Sequence, residues 1–246
     1  MTGPRTPSYS ELVTAVRREG EGLLAAARSG SDAAVPTCGD WTIADLAKHV
    51  WRVYANVTYY VSTRATSRVE KLPEMPEGDP VDLLAGQLDD LVGALSDCEA
   101  DTPIWSWVFD APDGAIFWAR RMAHESAVHR FDAQSAHGIR QPIDTELAAD
   151  GIDELIDVVV PRVYQRDQVA GPTGTIALHA TDGDSWLLEL SPGGVRRSEL
   201  IDEPDATAAG TSSALLLALY SRVPWTSLEL AGDTALLDAW TALITF

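Results

Sequence analysis

A helical bundle followed by a small α+β domain is the fold class this sequence predicts, on three observations. Four segments before residue 140 carry apolar residues at helical spacing. After Pro142 the pattern turns to short apolar runs parted by the turn signals DGD and PGG. Between the two textures the domain boundary is expected near Gly138–Asp144. At 246 residues the chain is long enough for two domains of ordinary size, predicted as 1–140 and 141–246.

The first helix is predicted from Ser8 to about Arg28, with Leu12, Val13, Val16, Leu23, Leu24 and Ala27 in approximate register. Pro36 and Gly39 mark a loop. Thr42, with Asp45 three positions on, reads as the N-cap of a second helix whose stripe is Leu46, Val50, Trp51, Tyr54 and Val57. KLPEMPEGDP is a connection, and Asp79 or Asp82 starts a third helix with Leu83, Leu84, Leu88, Leu91 and Leu95 inward. A loop through Trp105, Trp107 and Pro112 leads to a fourth, from about Ala115 to His137, stopped by Gly138. One apolar face on each of four helices makes a bundle the natural packing.

In the second half a helix is predicted from Asp144 to about Val163, its end perturbed by Pro161. GTIALHAT, DSWLLELS and GVRRSELI read as strands, and LELAG as a short fourth. Helices are expected around Ser212–Tyr220 and Thr234–Leu243, packed on one small, mostly antiparallel sheet.

Composition narrows the function classes. Lys and Arg total 18 against 37 Asp and Glu, a formal charge of −19 that repels phosphate backbones and anionic lipid heads. Nucleic-acid and membrane partners are therefore not expected. The first residues, MTGPRTPSYSELV, lack the apolar run of a signal peptide, so a cytoplasmic location is expected, with Cys38 and Cys98 as thiols. A monomer is expected rather than a stable oligomer.

The stretch that carries chemistry is RRMAHESAVHRFDAQ. Glu125 and His129 are four apart, about 40° around a helix axis, so they share a face. His124 sits about 100° from Glu125 and points elsewhere, and the spacing is not that of an HExxH motif. His49, at the edge of the second helix's stripe, is the candidate third ligand across the bundle interior. Two imidazoles and one carboxylate leave zinc an open coordination position, as a catalytic ion needs. Spacing alone leaves the alternatives standing: a core or boundary histidine at 49, and an i, i+4 pair at 125 and 129 on a solvated face. No Ser-His-Asp or Cys-His pattern supplies a nucleophile.

CGDWTIADLAKHV followed by RRMAHESAVHRFDAQ resembles the mycothiol-dependent maleylpyruvate isomerase family, and SSALLLALYSRVPWTSLELAGDTALLDAW is similar to its C-terminal domain. The resemblance runs from about Ser8 to the C-terminus. It implies a DinB-like four-helix bundle followed by an α+β, sterol-carrier-like domain, and an actinobacterial source. It implies a divalent metal, zinc or a related ion, on His49, Glu125 and His129, with mycothiol as thiol cofactor or cosubstrate. It also places Arg222 where family members often have an Arg, with a role in holding an anionic or sugar-like part of a ligand. The expected activity is thiol addition or transfer to a small electrophile, as an isomerase or S-transferase. The rivals are a metal-dependent hydrolase and a non-catalytic small-ligand-binding protein.

Overall fold

The computed structural model describes residues 6–107, 114–167, 170–198 and 203–243. The chain forms two compact units, one from Pro7 to Gln141 and one that starts at Pro142.

The first unit is built from α1 (Tyr9–Ala27), α2 (Ile43–Thr63), α3 (Pro80–Ser96) and α4 (Gly114–Ser135). Ser8 and Thr42 close capping boxes with Glu11 and Asp45, so in α1 and α2 the cap N–H and one orphan N–H of the first turn are satisfied. Asp79 caps α3, with Pro80 at the first position. The helices pack α1 on α4 and α3, and α2 on α3 and α4. Leu12, Val16, Leu46, Val50, Leu84, Leu88, Leu91 and Leu95 line the core. Leu83, expected inward, is only half-buried, because its position lies between the core stripe and solvent.

Two contacts fix how α2 and α4 face each other. Tyr54 of α2 is buried and its hydroxyl lies 2.6 Å from Ser126 Oγ, which in turn donates to the Met122 carbonyl at 2.6 Å. The start of α4 is set by backbone: Ala115 and Ile116 donate to the carbonyls of Thr102 and Ala100, both at 3.0 Å. Gly114 has φ +70°, and a Cβ there would meet the Ala100 and Thr102 carbonyl oxygens at 2.9 Å. Only glycine fits that approach. Pro112 of the predicted loop lies outside the described residues.

The second unit opens with α5 (Thr145–Glu154), a π-helical turn (Leu155–Val159) and α6 (Val160–Asp167). The single helix predicted to about Val163 is thus wider in its middle and continues past Pro161. Proline has no N–H and its ring crowds the carbonyl four residues back; the wide turn just before it accommodates both. The five described strands are β1 (Gly174–Ala180), β2 (Ser185–Ser191), β3 (Gly194–Arg197), β4 (Ala206–Gly210) and β5 (Glu229–Gly232), in the order β3-β2-β1-β4-β5. Only β1–β4 is parallel. β3 stops at Arg197; the predicted continuation through Glu199–Ile201 lies outside the described residues. α7 (Ser212–Leu219) and α8 (Thr234–Leu243) both pack on β1 and β4, burying Leu237 and Trp240.

Both cysteines are thiols rather than a disulfide. Among the described residues no helix is long and apolar enough to cross a membrane.

Candidate metal centre

His49, Glu125 and His129 meet in the bundle. One donor atom from each lies within 4.8 Å of the others. Glu125 Oε1 is the shared focus, 3.4 Å from Nε2 of His49 and 3.2 Å from Nε2 of His129. The two imidazole centroids are 5.0 Å apart and nearly perpendicular, so both rings present an edge nitrogen to one point.

The surroundings of the three differ. The His129 side chain is 9% exposed and Glu125 14%, whereas His49 is 35% exposed, so the cluster is open to solvent on the α2 side. Arg121 Nη2 donates to Glu125 Oε2 at 2.8 Å, which leaves Oε1 to the histidines. His129 Nδ1 donates to Asp132 Oδ2 at 2.8 Å. The Trp41 ring, 36% exposed, lies 5.1 Å from that of His49.

Electrostatics follow from this packing. Burial alone would raise the Glu125 carboxyl, but His129, His49 and Arg121 outweigh it and hold the group well below its usual range. Burial would lower His129; the charge of Glu125 and the bond to Asp132 instead raise it to about 9. Without metal, then, a protonated His129 is the counter-charge to Glu125. His129 stands above its unfolded value of 6.5, so its contribution to stability is complete below pH 6.5 and is lost as pH rises through 9. We expect the chelator-treated bundle to melt at a lower temperature at pH 9.5 than at pH 6, by circular dichroism. A melting temperature that rises over this interval would contradict the assignment.

The donor set fits a divalent ion: two imidazole nitrogens and a carboxylate oxygen, one imidazole already oriented through its other nitrogen. Arg121 and Asp132, which hydrogen-bond Glu125 and His129, are neighbours of the cluster that the sequence reading passed over. Both stand at helical contact spacing from a ligand, four before Glu125 and three after His129, and that spacing was the available signal. His124 is fully buried and takes no part in the cluster. Arg222 belongs to the second unit, just past α7, where its Nη1 donates to the Tyr220 carbonyl at 2.9 Å.

A helical bundle that gathers a His–Glu–His cluster inside, followed by a small mixed-sheet domain, defines a two-domain protein class. The family model for the mycothiol maleylpyruvate isomerase N-terminal domain matches residues 13–134, and the one for the MDMPI C-terminal domain matches residues 146–239. The chain belongs to the mycothiol-dependent maleylpyruvate isomerase family. The crystal structure of the mycothiol-dependent maleylpyruvate isomerase is similar with a TM-score of 0.62 and 13% identity, over 92% of this chain and 93% of that one. A histidine-to-alanine variant of that isomerase aligns with a TM-score of 0.60 and 14% identity over the same shares. At these identities the likeness is one of fold. No curated protein matches the sequence.

Proposed function

We propose that the protein is a cytoplasmic, monomeric metalloenzyme that activates mycothiol for addition or transfer to a small electrophile, with one divalent ion, zinc, held by His49, Glu125 and His129. The observation that carries this reading is the convergence of two Nε2 atoms on one carboxylate oxygen, with donor atoms within 4.8 Å. The bound ion and thiol together supply a nucleophilic sulfur at neutral pH, which suits reversible addition to a cis double bond as well as transfer to carbon.

The chain's own residues supply the rest. Glu125 brings the negative charge that a cation requires, and Arg121 ties up its second oxygen. His129 is the buried, oriented ligand, and His49 stands at the open side where a ligand can approach. Arg222 of the second unit has a separate reading, which rests on the family resemblance alone: holding an anionic or sugar-like part of a ligand.

The test is turnover of maleylpyruvate and of simple epoxides or haloalkanes by the zinc-loaded protein, with and without mycothiol. Turnover is expected only with both metal and thiol. Equal turnover without thiol would replace this reading by a hydrolase, and none under any condition would favour a binding protein. Arg222→Ala is expected to raise the KM for mycothiol about tenfold or more, the worth of one charged hydrogen bond, with metal content unchanged.

A further inference from the structure

Asp132 lies in α4, three residues after His129, with its side chain wholly excluded from solvent. A buried carboxyl group is tolerated only when its oxygens are hydrogen-bonded. Here the two oxygens bind different parts of the bundle. Oδ2 accepts from His129 Nδ1 at 2.8 Å, and Oδ1 accepts from the Thr37 hydroxyl at 2.6 Å.

Thr37 is not on a helix. It sits in the α1–α2 loop, which is shaped by its own backbone bonds: Val35 N–H to the Trp41 carbonyl at 2.8 Å, and Ile43 N–H to the Ala33 carbonyl at 2.9 Å. Val35 is fully buried and anchors the loop. The loop therefore touches the cluster twice, through Thr37 on Asp132 and through Trp41 beside His49.

An imidazole has two nitrogens and can turn about its Cβ–Cγ bond, so a histidine ligand needs something to say which nitrogen faces the ion. We infer that Asp132 and Thr37 are positioning residues for the candidate metal ligand His129: Asp132 takes the Nδ1 hydrogen, which makes Nε2 the nitrogen that faces Glu125 and His49 and that would bind an ion, and Thr37 holds the carboxylate in place from the loop. The inference rests on the metal-centre reading above. It assigns the loop a share in metal affinity, although the loop contributes no ligand.

The experiment measures zinc dissociation constants on the full chain by competition with a chromophoric chelator, and the visible spectrum of the cobalt-loaded protein. Asp132→Ala is expected to weaken zinc binding about 10–100-fold, the usual cost of losing such a support. Thr37→Val, which keeps the shape and removes the donor, is expected to weaken it about threefold to tenfold. Asp132→Asn should lie between the wild type and Asp132→Ala, because an amide oxygen still accepts the Nδ1 hydrogen. The cobalt bands should shift in Asp132→Ala. A purely structural role would instead lower the melting temperature of the chelator-treated variants and leave zinc affinity and the cobalt spectrum untouched, and that result overturns the inference. If Asp132→Ala does not fold, wild-type affinity in Thr37→Val overturns it as well. Failure of the wild type to take up zinc removes the metal centre itself and the inference with it, an outcome distinct from the other two.

Discussion

Glu125→Ala should empty the metal centre. Purified without added metal or a His tag, the wild type is expected to carry about one zinc per chain by elemental mass spectrometry, and the variant only a small fraction of that. The size of the effect follows from geometry. Glu125 Oε1 is the atom that both Nε2 atoms face, and its partner oxygen neutralises Arg121. Without it, two imidazoles and a guanidinium crowd a pocket that must accept a cation. Turnover should fall on the order of a thousandfold, as several kcal/mol of charge stabilisation is lost. Near-stoichiometric zinc in the variant would mean that the ion sits elsewhere.

Glu19→Ala should cost the bundle about 3–5 kcal/mol, which for a chain of this size lowers the melting temperature by about 10 °C. Glu19 in α1 is 4% exposed and pairs through Oε2 with Nε of Arg130, itself 7% exposed on α4. Arg130 also donates to Gln134 Oε1 at 2.7 Å, but that oxygen is neutral. Removing Glu19 leaves a buried guanidinium without this carboxylate, whereas replacing both partners by methionine should recover most of the loss. Thermal melts at 222 nm check this. A change of a degree or two in Glu19→Ala would show that water reaches the pair and that it adds little.

What the sequence disclosed, and what it hid, follows from how far each signal extends along the chain. Helix phase is local. Thr42 with Asp45, the stripe of α2, and the common face of Glu125 and His129 are all visible within a few residues, and the structure places these elements within a residue or two of the reading. The same phase points to Arg121 and Asp132, but neither stands out until the ligands are known. Thr37 could not be found this way, because loop geometry has no period. β4 escaped for another reason. ATAAG has no large apolar residue to alternate, yet Ala206 and Ala208 are fully buried beside β1. Small side chains there let helices α7 and α8 approach the sheet. The π-helical turn was hidden as well: Pro161 announces a disturbance, but its form depends on what the surrounding packing allows.

Two of the three candidate ligands ride on one rigid helix and the third comes from its neighbour. For an ion held between them, exchange would therefore be stepwise. The half-exposed imidazole of His49 would let go first, by a rotation about its own side chain, while the α4 pair kept its hold. The lifetime of such an ion would then follow a single side-chain motion rather than the melting of the bundle. Metal would trade with a competing chelator in a fully folded protein, at temperatures where the helices show no change at all.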